Sequence, residues 1–464
     1  MMTDLAFLTA SELAPLIESR QVSPVELTTH TLNRIDQIDP AINAYITPVN
    51  ELAFKEASKA ENEIMHGYYK GPLHGIPIGI KDNFETKGIR TTAGSKILAD
   101  YIPDKTSTAV KKLLDAGGIT LGKQNTHEFA AGTTNINPFY GPSRNPWNTE
   151  HMTGGSSGGS AAALAAGLGT LAVGSDTIGS IRIPSAMNGT YGLKPTHGLI
   201  SGFGSIPTAW SMDHPGPMAR SVTDLALMLH YMAGYDPNDP ASLHVPAHNY
   251  TGNLNKGIVG IRIGIPTYYL EGLDSDVEVL FKQAITTLQS LGADIREIDI
   301  PELSMSTFSG LATMSGEASA FHYEWLKTRS EDYGADIRAF LQTGVLSSAT
   351  QYLKAQQARR KLVKGFDKAF ADVDIIAGPT IPITAPAFQE NWVEQNLAVE
   401  SRCVPFTAPS NLTGMPNLSA PMGLNSKGLP AGMQFIGNHL CEKQLLQVGH
   451  AWERCNPLGF RINS

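Results

Sequence analysis

Apolar residues return at helical spacing over the first 70 residues, which predicts a helical N-terminal region packed on a core. Thr9-Ala10-Ser11-Glu12 is a capping box in front of Leu13-Ala14-Pro15-Leu16-Ile17. Ser23-Pro24-Val25-Glu26 is a second, with proline at the first helical position, and Leu27, Ile35 and Ile38 then share a face. The pattern changes at Gly75. Ile76-Pro77-Ile78-Gly79-Ile80 is a short apolar run that predicts a buried strand, Thr108 to Ala116 a helix closed by Gly117-Gly118, and Ile119-Thr120-Leu121 a strand. The uncharged Ala/Gly-rich run from Ser160 to Val173 is too short to span a bilayer and predicts a buried core helix. Further on, Ile258 to Ile265 predicts a strand, Asp276 to Leu291 a helix, Asp294 to Ile300 a strand, Tyr352 to Ala371 a long helix, and Val373 to Ala377 a strand. Such alternation argues for an α/β fold with helices packed on a sheet. No Pro/Ser-rich linker or internal repeat divides the chain, so one domain over 1–464 is expected, with the polar stretch Asp236 to Asn255 a surface loop.

Composition narrows the function. Of 464 residues, 42% are hydrophobic and 17% charged, which suits a large interior. A net charge of −8 with no basic run argues against nucleic acid, whose phosphates need a Lys/Arg excess. The N-terminus lacks a basic head followed by an apolar stretch, and no 18-residue apolar helix stands out, so a cytoplasmic protein that does not engage membrane is expected. The three cysteines, Cys403, Cys441 and Cys455, make neither a disulfide framework nor a zinc pattern and read as reduced thiols. Thirteen histidines form no H-E-x-x-H cluster; His127-Glu128 stands alone, and His74, His151 and His197 flank the motifs described next.

The chemistry concentrates in Thr153 to Met187. Across these 35 residues only Asp176 and Arg182 are charged, and six serines sit among apolar and glycine residues. A run so poor in charge belongs inside, where its polar groups need partners. Gly154 to Ser160 is not a flexible linker, because it runs straight into the Ala-rich stretch. It is not a phosphate loop, because no lysine follows. Gly154-Gly155-Ser156-Ser157-Gly158 matches G-x-S-x-G, but the hydrophobic strand that must precede a nucleophile elbow is missing from Asn145 to Met152.

Taken with its surroundings, this segment resembles the amidase signature family. The matching pieces are Gly154-Gly155-Ser156-Ser157-Gly158-Gly159-Ser160, Gly174-Ser175-Asp176-Thr177-Ile178-Gly179-Ser180-Ile181-Arg182-Ile183-Pro184 and Asn188 to Thr196. Upstream stands Gly75-Ile76-Pro77-Ile78-Gly79-Ile80-Lys81-Asp82; downstream stand Asn411-Leu412-Thr413-Gly414-Met415-Pro416 and Gly432-Met433-Gln434-Phe435-Ile436-Gly437. The resemblance implies a large mixed β-sheet core flanked on both faces by helices. It also implies a Ser–Ser–Lys triad: Lys81, the bridging Ser156 that the family holds after a cis peptide bond, and the nucleophile Ser180. The N–H groups of Thr177, Ile178, Gly179 and Ser180 are the implied oxyanion donors.

The residues support that chemistry independently. A serine hydroxyl needs a base, and a lysine serves only when neutral, a form that burial favours. Lys81 follows an apolar run; Asp82, its neighbour on the strand, points to the other face. Asp176 and Arg182 are expected to brace the loop as a buried ion pair. Ser157 and Ser160 are expected to bond local backbone. Many family members carry glycine where this chain has Ile178, whose β-branch excludes a positive φ and narrows or dries the acyl pocket.

The expected activity is hydrolysis of a small-molecule C–N amide-type bond without a cofactor, through a Ser180 acyl-enzyme, the substrate being an amide, carbamate or urea derivative. A homodimer is compatible with this. The competing reading is the glutaminase/amidase component of a tRNA-dependent amidotransferase. Those proteins carry an acidic residue just ahead of the T-x-P-x-N-L motif, where this chain has Cys403-Val404-Pro405-Phe406 before Thr407-Ala408-Pro409-Ser410-Asn411-Leu412. A non-enzymatic scaffold is disfavoured by the intact Lys81, Ser156 and Ser180. The pocket wall is expected from the Phe129 to Tyr140 loop, Ile178 and residues 305–345, including Phe308, Met314, Phe321, Tyr323, Trp325 and Phe340.

Overall fold

The computed structural model describes residues 4–246 and 248–458. Both capping boxes form. Thr9 and Ser23 each accept the backbone N–H three residues on, while Glu12 and Glu26 reach back, opening α1 (Ala10–Glu18) and α2 (Pro24–Ile42). The first N–H groups of α1 are completed by the Asp224 carboxylate, at 2.8 Å from Ala10 and 2.9 Å from Ser11, which fastens the N-terminal region to the core.

The N-terminal region is not helical throughout. β1 (Tyr45–Pro48) separates α2 from α3 (Asn50–Met65) and pairs antiparallel with the segment ending at Gln124. Four residues are too few to show a period, so the helical pattern on either side masked it. There follow β2 (Pro77–Lys81), α4 (Thr108–Asp115), β3 (Ile119–Gln124) and a small hairpin of β4 (Arg144–Asn145) and β5 (Asn148–Met152). The Ala-rich run is a helix only over α5 (Gly158–Ala165). Gly167, at φ 67°, turns the chain, and Leu171–Asp176 is the strand β6. Next come α6 (Arg182–Asn188), β7 (Tyr191–Lys194), β8 (His214–Ala219) and α7 (Val222–Met232).

The second half adds β9 (Arg262–Pro266), shorter than the expected strand from Ile258, α8 (Ser275–Ser290) and β10 (Asp294–Ile298). Then come α9 (Ser306–Thr328), α10 (Ala335–Leu346), α11 (Ala349–Asp372), β11 (Ile375–Pro379), α12 (Trp392–Thr413), β12 (Asn417–Leu424), β13 (Pro430–Gly437) and α13 (Glu442–Cys455). The strands other than the hairpin join one mixed sheet of eleven, ordered β1-β3-β2-β6-β8-β7-β12-β13-β11-β9-β10.

Side-chain alternation on β6 shows how both faces are covered. Leu171 and Val173 join a cluster with Leu13 of α1 and Leu225 of α7, whereas Ala172 packs with Leu164 of α5 and Ile181. Strand β2 lies parallel to both β3 and β6, with Ile78 opposite Leu171 and Ile80 opposite Val173. The carboxyl ends of β2 and β6 therefore open side by side, where ligands bind in sheets of this kind. Among the described residues no helix is long and apolar enough to cross a membrane.

Candidate active site

Lys81 is the last residue of β2 and has no exposed surface. Its Nζ lies 2.7 Å from Ser156 Oγ, 2.8 Å from Ser175 Oγ and 3.3 Å from the Ser175 carbonyl oxygen. Burial drives the ammonium form out; the opposing charges of Asp176 and Asp213 only partly restore it, and the pKa settles at about 7. Asp82 faces away, as strand geometry requires: its carboxylate accepts from Thr92 N–H at 2.9 Å and lies 3.6 Å from Lys123.

The Gly155–Ser156 peptide bond is cis. Ser156 is fully buried, its carbonyl accepting from His127 N–H at 3.2 Å, while Gly155 N–H donates to Thr133 O at 2.7 Å. The next residue ties this turn to the other serine: Ser157 N–H donates to the Ser180 carbonyl at 3.1 Å. The Ser157 hydroxyl bonds the Ser175 carbonyl at 3.2 Å, a partner 18 residues away rather than local backbone, and the buried Ser160 hydroxyl has no partner among the described residues. Both expectations for these serines thus fail, because the segment is folded against a distant strand end rather than on itself. The glycines serve close packing, not flexibility: a Cβ on Gly159 would stand 2.5 Å from the Ala44 carbonyl oxygen.

Asp176, at the end of β6, organises the loop that carries Ser180. Its carboxylate accepts Gly179 N–H at 2.7 Å and Ile181 N–H at 3.1 Å, and takes a fork of Arg182 Nε at 2.9 Å and Nη2 at 3.0 Å. Asp176 and Arg182 both have no exposed surface, so the expected buried pair is formed. Burial alone would raise the Asp176 carboxyl; Arg182, Lys194 and the Asn411 amide overturn that and hold it well below the ordinary carboxylate range. Arg182 continues to Ser410 Oγ at 2.9 Å, Thr407 O at 3.0 Å and Asn411 Oδ1 at 2.6 Å. Thr407 Oγ1 donates to the Ile178 carbonyl, and Asn411 Nδ2 to the Asp176 carbonyl at 3.0 Å. The T-x-P-x-N-L motif is therefore a clamp on the serine loop, held in turn by Gln434, which donates to Phe406 O at 3.0 Å.

Within the loop, Gly179 takes φ 133° and Ile178 does not need a positive φ. Gly179 N–H is committed to Asp176, so it is not a free oxyanion donor as expected from the motif. Thr177 Oγ1 donates to Asp213 at 2.6 Å, a half-buried carboxyl raised to about 6 chiefly by desolvation. Ser180 itself is almost buried, and its hydroxyl makes no hydrogen bond among the described residues.

Ser180 and Ile178 form part of the wall of a cavity of about 530 Å³, a size ordinary for small-molecule sites. The remaining wall comes from the loop Ala130–Thr133, from Phe308, Leu311 and Met314 of α9, from Ile337 and Phe340 of α10, and from Val393, Asn396, Leu397 and Glu400 of α12. Phe308, Met314 and Phe340 thus stand where the sequence placed them. Phe321, Tyr323 and Trp325 do not: the first two are largely exposed, and Trp325 stacks on Phe129 at 5.9 Å. They sit on other faces of α9, which turns away from the cavity every 3.6 residues. The contribution of α12 was missed, since Pro405 and Pro409 inside the helix obscure its pattern. Ser175 and Asn83 were also missed. The Asn83 amide donates to Ser175 Oγ at 3.0 Å and so fixes the group that holds Lys81; its spacing two residues after Lys81 was the available signal.

Residues 26–446 match the family model described as Amidase. A curated relative from Geobacter sp., a component of glutamyl-tRNA(Gln) amidotransferase, is 41% identical over 96% of this chain and 97% of its own. Among solved structures, a bacterial aryl acylamidase belonging to the amidase signature enzymes superposes with a TM-score of 0.91 at 29% identity, covering 99% of both chains. A chain from a vestigial protein complex that reveals the evolutionary origins of an s-triazine catabolic enzyme gives a TM-score of 0.91 at 33% identity, covering 97% of this chain and 98% of that one.

Proposed function

The chain belongs to the amidase signature family, and on that premise we propose that it hydrolyses a C–N amide-type bond of a small molecule with an apolar acyl part. Ser180 Oγ attacks the carbonyl carbon. Its proton passes to Ser156 Oγ, which gives its own to neutral Lys81 Nζ, 2.7 Å away. The oxyanion faces the N–H groups of Thr177, Ile178 and Ser180. Collapse returns the proton along the same relay to the leaving nitrogen, and amine or ammonia departs. Water then attacks the acyl carbon, giving a proton to Ser156 Oγ as Ser156 gives its own to Lys81; the relay returns a proton to Ser180 Oγ as its bond to the acyl carbon breaks and the carboxylate leaves. The observation that carries the reading is the pairing of a buried lysine at about 7 with Ser156, beside a cavity that has Ser180 on its wall and mainly apolar residues around it. A carbamate or a urea derivative suits the same relay.

Sequence likeness speaks for a second reading, since the 41% identical relative is named as part of a glutamyl-tRNA(Gln) amidotransferase. On that reading the substrate is glutamine and a partner protein takes the ammonia. One observation weighs against it: among the described residues no Lys or Arg lines the cavity, so a glutamine α-carboxylate would meet no cation there. Ammonia and amine release from glutamine and from a panel of alkanoyl amides, anilides, carbamates and ureas decides between them. The isolated chain should turn over alkanoyl substrates, and Ser180→Ala should not. Release from glutamine alone, or from nothing until partner proteins are added, would establish the second reading.

A further inference from the structure

The turn that follows β2 brings one more side chain to the relay. Lys81 O accepts Phe84 N–H at 3.1 Å, Asp82 N–H donates to Gln124 O at 3.0 Å, and Asn83 O accepts Ile206 N–H at 2.8 Å. The turn is thus pinned both to β3 and to the segment between β7 and β8. Asn83 and Ser175 are both buried, and Asn83 Nδ2 donates to Ser175 Oγ at 3.0 Å. The other end of the amide, Oδ1, is buried and accepts no hydrogen bond among the described residues. A buried oxygen left without a donor is costly, so the amide is placed for its donor end.

That donor end bears on Lys81. As an ammonium, Lys81 has three N–H groups and three acceptors in reach: Ser156 Oγ, Ser175 Oγ and Ser175 O. As a neutral base it has two N–H groups and one lone pair, and the relay needs that lone pair on Ser156. The two Ser175 oxygens must then take both N–H groups, so Ser175 Oγ must stay where Asn83 holds it. The Asn83 N–H also occupies one lone pair of that oxygen and brings the positive end of its dipole to it, which weakens Ser175 as an acceptor for an ammonium. The charges around the lysine act in the opposite sense. Asp176 at the end of β6 and Asp213 ahead of β8 both favour the ammonium. Lys123 of β3 and Arg182 of α6 are committed to Asp82 and Asp176, and α5 carries no charge. From this geometry we infer that Asn83 is a positioning residue: through Ser175 it turns the Lys81 lone pair to Ser156 and, with a neutral dipole, disfavours the ammonium. The inference rests on the proposed hydrolase reading.

The test is the pH dependence of Ser180 sulfonylation by phenylmethanesulfonyl fluoride, followed by intact-protein mass spectrometry. The Oγ–S bond forms as fluoride leaves, and the Oγ proton passes through Ser156 to Lys81, so the rate follows neutral Lys81 without a known substrate. The wild-type rate should rise with pH through about 7. Asn83→Asp keeps the shape but replaces the donor with a carboxylate, and should move this limb to higher pH by about one unit or more. Asn83→Leu, which only removes the N–H, should move it the same way by about half a unit. Ser175→Ala removes an acceptor from the ammonium and should move it to lower pH, and adding Asn83→Leu to Ser175→Ala should move it no further. A merely structural role would lower the rate at every pH and leave the limb in place. A limb that is unmoved, or lowered, in the Asn83 variants overturns the inference. Should circular dichroism show that neither Asn83 variant folds, Ser175→Ala decides: a lowered limb supports the inference and an unmoved one overturns it. Wild-type protein that is not sulfonylated at any pH removes the hydrolase reading and the inference with it, whereas sulfonylated wild type with unmoved variants removes the inference alone.

Discussion

Replacing Lys81 with methionine should stabilise the protein while abolishing its activity, and the gain should depend on pH in a calculable way. The folded state lowers the Lys81 pKa from 10.5 to about 7, mainly through burial. Between those two values the unfolded chain binds more protons than the folded one, so stability rises with pH across that window and falls as pH drops towards 7. The cost of burying this amine follows from RT ln[(1 + 10^(pKU − pH))/(1 + 10^(pKN − pH))], where pKU and pKN are the unfolded and folded values. It is about 4 kcal/mol at pH 7 and about 2 kcal/mol at pH 9. Methionine fills a similar volume and carries no charge, so it removes this cost and also removes the contacts to Ser156 and Ser175. That second loss is the same at both pH values and cancels in the comparison. The stabilisation should therefore be about 2 kcal/mol larger at pH 7 than at pH 9. For a chain of this length the difference corresponds to about 2 °C in thermal midpoint. Differential scanning calorimetry of wild type and Lys81→Met at the two pH values measures it. A gain that is equal at both, or that grows with pH, would refute a neutral buried Lys81.

Three further outcomes follow from the same geometry. Because Lys81 must be neutral to accept a proton, kcat/KM for a neutral amide should rise with pH through about 7 and fall about tenfold from pH 8 to pH 6, and an acid limb near 4 instead would assign the base elsewhere. Arg182→Ala leaves the Asp176 carboxylate buried without its counter-ion, which should cost about 3–5 kcal/mol and lower the thermal midpoint by a similar number of degrees; an unchanged midpoint would remove the bracing role. Ile178→Gly should widen the cavity beside Ser180, so that kcat/KM for branched acyl amides rises relative to straight-chain ones, at a stability cost of about 2–4 kcal/mol readable in urea melts. No change in that ratio would mean that the Ile178 side chain does not shape the acyl site.

What the sequence discloses, and what it hides, follows from range. Both N-terminal capping boxes are local, completed within three residues, and both form as expected. Lys81 was legible because an apolar run leads into it and strand alternation separates it from Asp82. The Asp176–Arg182 pair was legible as the two charges of a long uncharged stretch. By contrast, β1 has only four residues, and α12 hides two prolines within its 22 residues, so neither shows a usable period. The commitment of Gly179 N–H to Asp176 is a matter of loop geometry that residue types do not specify. The cavity wall joins Asp336 to Asn396, 60 residues apart, through docking of two helices that no local pattern reports.

The sheet order also sets a timetable for synthesis. Strands β1, β2, β3, β6, β7 and β8 occupy one side of the sheet, and β7 ends that side until β12 arrives to pair with it. Asn411, which closes the serine loop, follows Asp176 by 235 residues. At roughly 5–20 residues per second, the ribosome takes on the order of 10–50 s to cover that distance. Through this interval the nascent chain exposes β7 as an open edge, a template for pairing with other chains. The serine loop also lacks the clamp that shapes it. The enzyme is thus born disarmed but sticky, and a chaperone that shields the first half during translation would protect yield without ever meeting the finished protein.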